Sequence, residues 1–487
     1  MSGIRYVCLS DLHFGQNDGL LTNLSQDGDA IDVTRPSPLL VALCDGLRAL
    51  LAQNPADAPL PTLILNGDVL ETAFTTLNEA AMAFERFVEL AFPADSAPLF
   101  GRVIMLPGNH DHHLWEMARE TQYVNHIRRD CAPGTVLDEP WHTTNMLVQD
   151  DPRPLTSYFL NNLIGRHPHL SDLEVEIAYP NFGLHRPDLS RVVVFHHGHF
   201  IEKLYHLLSL LADSLFPDRE PPELVWEVEA ENFAWIDFFW GCLGRSGRVG
   251  PLVQDVYDSL GYTEARNALL NNLAQSLAAN HNLPGWTDKM EGLLMKKALE
   301  VLADWIMRHE RRESTGDRTG AIPLSASAQK GLLSYLTGPT RQQLLMELEV
   351  LALHHVTFVF GHTHKPYQTL QTVHGYAFPV PVYNTGGWVV ETTAPCPERG
   401  ASAVLLDDEL NAVSLHLYRE DDYDVRICDA DPDTAEENPL GAHARRAVAA
   451  TRATWRTFAE TARAQVTAHA DARARRQAAR LHPKVCI

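Results

Sequence analysis

The hydrophobic positions of the chain fall first into short runs with the length and composition of buried β-strands. Five of these runs are rich in β-branched or aromatic side chains, and each ends abruptly in polar residues. A continuous apolar run bounded by turn-forming residues is typical of a strand that is buried on both faces. The five runs are Ile4–Leu9, Thr62–Leu65, Val103–Leu106, Arg191–Phe195 and Val356–Phe360.

Other stretches repeat their apolar residues with helical spacing. This spacing predicts helices at Pro38–Gln53, Leu77–Phe92 and Leu114–Asp130, between or after the first three strands. From Phe200 to about Glu349 helical spacing dominates, and strands then return. The helices predicted there are Glu202–Phe216, Glu223–Phe239, Pro251–Asn280, Asp288–Arg311 and Ser325–Leu353, the last with a break at Gly338-Pro339. The later strands are Val382–Trp388, Ala403–Leu406 and Ala412–Tyr418.

The length of the chain, 487 residues, predicts either one large core with insertions or two domains. We predict a core made of residues 1–199 and 350–430, which includes a mixed insertion at 112–190. Residues 200–349 form a helical, cap-like insertion in this prediction. Residues 431–487 form a linker and a basic, Ala/Arg-rich tail, expected as a solvated helix or a partly disordered arm.

Composition narrows the possible partners. The formal net charge is −22, which opposes general binding to nucleic acids or anionic lipid surfaces because these carry like charge. Seven scattered cysteines without a CxxC pair argue against a disulfide framework or a structural zinc site and fit a reducing cytoplasm. We find no apolar stretch of membrane-spanning length, and the N-terminus lacks the pattern of a signal peptide. The oligomeric state is left open.

Residues that commonly bind metals follow every one of the five strands. The strands end in the motifs DLH, NGD, GNHD, HHGH and GHTH. A single DxH or an Asn/Asp turn after a strand is common by chance, but five such ends in one chain are hard to explain by turns or surface histidines. Carboxylates and imidazoles that converge from strand ends suit a divalent transition metal.

This order of motifs resembles the calcineurin-like metallophosphoesterase family. The resemblance implies an α/β fold, a two-sheet αββα sandwich with a large helical insertion, and two divalent transition-metal ions at the strand ends. Mixed nitrogen and oxygen donors without thiolate suit Mn, Fe, Zn, Co or Ni rather than calcium. The resemblance implies that Asp11, His13 and His364 bind one ion, that Asn109, His197 and His362 bind the other, and that Asp68 bridges both.

The resemblance also implies a reaction. A hydroxide that bridges the metals attacks phosphorus directly, and His110 stabilises or protonates the leaving oxygen. Asp111 is expected to hold the His110 ring by a hydrogen bond, as an acid–base histidine requires. The expected substrate is a phosphodiester, a pyrophosphate or a small phosphomonoester, either a phosphorylated small molecule or a lipid-like compound.

Several alternatives remain open at this stage. The fourth motif contains three histidines; His197 is our first choice of ligand, His199 the second and His196 the third. His112 and His113 either face the cleft or lie on the surface. Two other functions compete with the phosphoesterase: a nuclease, disfavoured by the acidic charge although the tail is basic, and a catalytically inactive metal-binding scaffold.

The helical insertion enters directly after HHGH and leaves into the strand before GHTH. Both of its ends therefore lie beside the expected metal site, and we predict that it covers the cleft as a cap. Its large apolar residues either fill the core of a helical bundle or line a pocket for a bulky or lipid-like group. These residues are Phe233, Trp235, Ile236, Phe238, Phe239 and Trp240, followed by the Gly-rich stretch Gly241–Gly250.

Overall fold

The computed structural model describes residues 3–28, 30–147, 155–242, 322–350, 354–431, 433 and 437–481. The strands are Tyr6–Leu9 (β1), Thr22–Leu24 (β2), Ile31–Pro36 (β3), Thr62–Leu65 (β4), Arg102–Met105 (β5), Val175–Ile177 (β6), Asn181–His185 (β7), Arg191–His196 (β8), His355–Phe360 (β9), Tyr367–Gln371 (β10), Val380–Asn384 (β11), Gly400–Leu406 (β12), Ala412–Arg419 (β13) and Arg426–Cys428 (β14). The α-helices are Pro38–Leu51 (α1), Leu77–Ala91 (α2), His112–Asp130 (α3), Tyr158–Ile164 (α4), Leu207–Leu215 (α5), Val225–Ile236 (α6), Ala326–Tyr335 (α7), Arg341–Glu347 (α8), Pro439–Ala450 (α9) and Arg452–Leu481 (α10).

The first sheet contains seven strands in the order β14-β13-β12-β1-β4-β5-β6. Strands β1, β4, β5 and β6 are parallel, and β12, β13 and β14 extend the sheet in antiparallel pairs. The residues of β4 are buried throughout, as expected for a parallel strand covered on both faces. Because parallel strands share a direction, the carboxyl ends of β1, β4 and β5 meet at one edge.

The second sheet contains five strands in the order β10-β11-β9-β8-β7. Its central strands β8, β9 and β11 are parallel, and the outer strands β7 and β10 are antiparallel to their neighbours. The carboxyl ends of β8 and β9 therefore also lie side by side. A further two-stranded sheet, β2-β3, stands apart from the two large sheets.

Apolar side chains hold the two large sheets together face to face. Ile64 and Ile104 from the first sheet join Phe195 and Val359 from the second in one buried cluster. Helices cover the outer faces: α1 and α2 contribute to a cluster on the first sheet, and α6 and α7 contribute to a cluster on the second. The expected α/β sandwich with helices on both outer faces is confirmed.

The C-terminal helices are part of the core of the first sheet. Trp455, Phe458 and Val466 of α10 are buried in the cluster that contains α1. A Cβ atom on Gly46 of α1 would come within 2.5 Å of the Trp455 ring, so this glycine lets the two helices approach closely. The expectation of a solvated helix or a disordered arm therefore needs correction, because one face of α10 is packed.

The described part of the helical insertion packs against the outer face of the second sheet. Leu332 and Tyr335 of α7, together with Val228 of α6, share a buried cluster with Val194 and Phe358 of the sheet. The helices predicted at Pro251–Asn280 and Asp288–Arg311 lie outside the described residues, as does most of the Gly-rich stretch. Within the described ranges, no helix is long and apolar enough to cross a membrane.

Candidate metal centre

The five polar strand ends come together at one edge of the sandwich, and their backbone is unusual there. Five non-glycine residues at this edge have positive φ angles, a conformation that L-residues avoid and that is frequent at functional sites. They are Asp11 (52°), His13 (45°), Asp68 (49°), His362 (68°) and His364 (54°). The fold thus holds strained turns at the positions where the sequence predicts ligands.

Asp11, His13 and His364 form a first group of donors. Their ligand atoms all lie within 4.8 Å of one another. Nε2 of His13 faces Nε2 of His364 at 3.2 Å, and Nε2 of His364 lies 3.4 Å from Oδ1 of Asp11. Two imidazole nitrogens and a carboxylate oxygen therefore point at the same small volume.

Asp68, His197 and His362 form a second group with the same 4.8 Å limit. Nε2 of His197 lies 3.2 Å from Oδ2 of Asp68 and 3.1 Å from Oδ1 of Asn109. The side chain of Asn109 therefore also faces this group. Nitrogen and oxygen donors dominate here as they do in the first group, which suits a divalent transition metal.

Asp68 lies between the two groups. Its Oδ2 atom is 3.2 Å from Nε2 of His197 in the second group and 3.8 Å from Nε2 of His13 in the first. Its other oxygen, Oδ1, accepts a hydrogen bond from the backbone N–H of His110 at 2.8 Å. One carboxylate is thus positioned to be shared by both groups.

The outer ring nitrogens fix the orientation of three histidines. Nδ1 of His13 lies 2.9 Å from Oε2 of Glu71, and Nδ1 of His364 lies 2.5 Å from Oε1 of Glu391. Nδ1 of His197 lies 3.1 Å from the carbonyl oxygen of Asn66. Because each Nδ1–H has an acceptor, each Nε2 is left with a lone pair directed into the centre, as in metal-binding histidines. The residues present therefore fit divalent cations.

The pKa shifts of the donor side chains also favour a bound cation. Burial acts to raise the pKa of Asp68, but neighbouring His197 and His110 outweigh it and hold that pKa well below its ordinary value. Burial acts to lower the pKa of His197, but Asp68 raises it to about 9. A buried carboxylate such as that of Asp68 is stable only beside positive charge. A bound cation supplies that charge more directly than protonated histidines do.

Two glycines at this edge allow the donor side chains to pack closely against the backbone. A Cβ atom on Gly67 would lie 2.2 Å from Nδ1 of His197, and one on Gly361 would lie 2.2 Å from Oδ2 of Asp11. Gly67 also has a φ angle of 90°, which glycine adopts without strain. The glycines of the NGD and GHTH motifs are therefore required by close packing around the donors.

The three histidines of the HHGH motif have different surroundings. The structure brings His197 to the centre but neither of its competitors. The His196 ring packs against Tyr335, with centroids 4.5 Å apart, and Nε2 of His199 lies 3.4 Å from the Tyr179 hydroxyl. Gly198, with a φ angle of 126°, turns the chain between His197 and His199.

Asp111 does not contact the ring of His110, and that expectation needs correction. Its oxygens accept hydrogen bonds from the backbone N–H groups of Gly108, Val69 and Leu70 at 2.6, 2.7 and 3.2 Å. Asp111 thus ties the GNHD turn to the NGD turn. The partner of Nδ1 of His110 is Oε1 of Glu71, at 2.9 Å.

Glu71 is therefore a site residue that the sequence did not identify. One of its oxygens faces His110 and the other faces His13, so a single buried carboxylate orients both rings. Burial acts to raise the pKa of Glu71, but His110 and His13 lower it to about 2. Its place three residues after Asp68 was the only signal available in the sequence.

His112 and His113 were expected either to face the cleft or to lie on the surface. The structure places His112 in the interior and His113 in a partly buried position. His112 is completely buried, and its Nε2 lies 2.9 Å from Oε1 of Glu229 in α6. The other oxygen of Glu229 accepts the hydroxyl hydrogen of Tyr179 at 2.9 Å. His113 is partly buried beside Glu116, 2.7 Å away. His112 thus connects the start of α3 to the helical insertion.

Aromatic residues line the side of the centre that faces the helical insertion. The Trp240 ring lies 4.6 Å from the His110 ring, and the Phe74 ring lies 5.3 Å from it. The Tyr205 ring lies 5.2 Å from that of His362. Phe238, by contrast, is 57% exposed. Tyr205 and Trp240 belong to the insertion, so the insertion contributes directly to the walls of the centre.

The fold is an α/β sandwich, and the donor groups at its parallel strand ends could hold metal ions. A family model described as calcineurin-like phosphoesterase matches residues 4–240, which include the first four motifs and leave GHTH outside. Over these residues the chain is therefore similar to the calcineurin-like phosphoesterases, a family of metal-dependent hydrolases of phosphoesters. No curated protein matches the chain.

Proposed function

We propose that the protein hydrolyses phosphoester bonds with two divalent transition-metal ions. In this proposal one ion is held by Asp11, His13 and His364, the other by Asn109, His197 and His362, and Asp68 is shared. The position of Asp68 Oδ2, near His197 of one group and His13 of the other, is the observation that supports this assignment most strongly. A shared carboxylate offsets the repulsion between two closely spaced cations.

The ions, when bound, supply Lewis-acid stabilisation of the phosphoryl oxygens and activation of water. The chain supplies the remaining functions. His110 extends from the same turn as Asn109, and Glu71 accepts the hydrogen of its Nδ1, so its Nε2 is oriented to protonate the leaving oxygen. Burial lowers the pKa of His110, but Glu71 and Asp68 raise it to about 9, while bound cations would oppose that rise.

The substrate class in this proposal is a phosphodiester, a pyrophosphate or a small phosphomonoester. The walls contributed by Trp240 and Phe74 are apolar and stand beside His110, where the leaving group would lie. That position suits a phosphorylated small molecule or lipid-like compound better than folded nucleic acid, and the net charge of −22 supports the same preference.

The test is to measure metal content and activity together. Purified protein should carry close to two equivalents of transition metal and hydrolyse a nitrophenyl phosphate ester. Asp68→Ala should lose more metal and more activity than Asp11→Ala or His197→Ala, because Asp68 alone is assigned to both ions. Full activity in a chelator-treated, metal-free preparation would overturn the proposal, and two bound ions without hydrolysis of any phosphoester would favour the scaffold alternative.

A further inference from the structure

We propose that Glu391 is a positioning residue that fixes the orientation and basicity of His364, and that Arg399 holds Glu391 in place. The inference rests on the proposed function, because it assigns His364 to a metal. Glu391 lies beyond the region matched by the family model and follows none of the five strand-end motifs.

The contact between Glu391 and His364 determines which nitrogen enters the centre. Oε1 of Glu391 accepts a hydrogen bond from Nδ1 of His364 at 2.5 Å. Nε2 of the same ring then faces Asp11 and His13, at 3.4 and 3.2 Å. A carboxylate on the outer nitrogen both fixes the tautomer and makes the inner nitrogen a stronger donor to a cation.

Arg399 restricts the carboxylate in turn. Its guanidinium is 4% exposed and makes an ion pair with Oε1 of Glu391, the same oxygen that faces His364. The ring has little freedom on its other side, since a Cβ atom on Gly387 would lie 2.5 Å from Cδ2 of His364. Glu391 therefore cannot swing away without breaking the ion pair of a buried arginine, which is costly.

The segment that carries Glu391 is also hydrogen-bonded to the loop that carries Asp11. The N–H of Trp388 donates to the carbonyl oxygen of Asp11, and the N–H of Val390 donates to that of Asp18, both at 3.0 Å. The same short segment thus fixes the backbone of one donor, Asp11, and the ring of another, His364.

The two donor groups differ in the partners of their outer ring nitrogens. Both histidines of the first group, His13 and His364, have carboxylate partners on their outer nitrogens. Among the residues that the structure describes, the partner on the outer nitrogen of His197 in the second group is the Asn66 carbonyl. A carboxylate partner strengthens a ligand more than a neutral carbonyl does. We therefore expect loss of Glu391 to weaken one binding step selectively.

The experiment is a titration of metal-free, full-length protein with Co²⁺, followed by its visible absorption. Wild-type protein should bind two equivalents. Glu391→Gln should weaken one step by about 10- to 100-fold and change the absorption of that site, while the other step stays within about 3-fold. Glu391→Asp should recover part of the loss. Glu460→Gln, an exposed carboxylate on α10, is the matched charge control and should behave like wild type.

The outcomes separate this inference from the proposed function. Failure of wild-type protein to bind two equivalents contradicts the two-ion proposal itself. If wild type and Glu391→Gln both bind two equivalents with the same affinities and spectra, only the role of Glu391 is overturned. A variant that weakens both steps equally, or one whose metal-free form melts at a much lower temperature than wild type, assigns Glu391 a structural role and also overturns the inference.

Discussion

At the scale of single residues, adjacent members of the GNHD motif have separate tasks. Asn109 faces His197, His110 faces Trp240 and Glu71, and Asp111 binds the backbone of two turns. Three consecutive polar residues can diverge in this way because the turn after β5 points their side chains in different directions. The sequence places these residues together, but it does not distinguish their tasks.

Replacement of His110 by alanine should separate chemistry from metal binding. We expect His110→Ala to retain its metal while the rate falls by roughly 10²-fold or more, because in the proposed mechanism His110 protonates the leaving oxygen. The loss should shrink for esters with good leaving groups, which need little protonation. The measurement compares metal content and kcat on a series of substituted phenyl esters; a parallel fall of both quantities would contradict the assignment.

Replacement of Asp111 should lower the free energy of unfolding and should not change how the rate depends on the leaving group. Asp111→Ala leaves three backbone N–H groups without their acceptor, so we expect the free energy of unfolding to fall by about 3 kcal/mol. Denaturation by urea measures this loss. In a metal-loaded variant that still folds, an altered dependence on the leaving group would show that Asp111 acts through His110 after all.

At the scale of elements, the C-terminal helix α10 supports the loop behind the first donor group. Arg473 and Arg476 both pair with Asp18, which is 2% exposed. The backbone carbonyl of Asp18 accepts the N–H of Val390, next to Glu391. The basic C-terminal helix therefore contacts Asp18, and the backbone of Asp18 is hydrogen-bonded to the segment that orients His364.

Weakening of α10 should destabilise the protein. Trp455→Ala removes a buried indole that packs against Gly46, and we expect a loss of about 3–5 kcal/mol in the free energy of unfolding. Arg456→Ala, on the exposed face of the same helix, is the control and should change little. Equal urea midpoints for wild type and Trp455→Ala would show that α10 is not part of the cooperative core.

The helical insertion offers a matched pair of aromatic residues. Trp240 is buried against His110, whereas Phe238 is exposed. We expect Trp240→Ala to change selectivity between a nitrophenyl ester and a long-chain phosphodiester by at least several-fold, and Phe238→Ala to leave it unchanged. Measurement of kcat/KM for both substrates tests this. Unchanged selectivity in a folded, metal-loaded Trp240→Ala variant would remove the insertion from substrate recognition.

At the scale of the whole molecule, the centre lies where both sheets and the insertion meet. The donors follow β1, β4 and β5 of one sheet and β8 and β9 of the other, so metal binding should stabilise the sandwich as a unit. At a free metal concentration 100 times the Kd, one site contributes about 2.7 kcal/mol. The melting temperature should therefore rise on addition of Mn²⁺ and fall with chelator, and a melting temperature independent of metal would contradict a preformed site.

The sequence by itself determined the five strands that precede the motifs and the donor types that follow them, because an apolar run followed by polar residues is a local pattern. It placed Asp11, His13, Asp68, His362 and His364 at strand ends, and the structure brings those ends together. The sandwich was implied by the family resemblance that the order of the motifs carries. These inferences needed no knowledge of contacts between distant residues.

The tertiary structure alone decided which residues support those donors. Glu71 and His110 are 39 positions apart, Glu391 and His364 are 27 apart, and His112 and Glu229 are 117 apart. The packing of α10 likewise depends on a glycine in α1, near the other end of the chain. No periodicity or motif encodes such pairs, because each hydrogen bond exists only after the sheets have brought two independent segments within 3 Å of each other.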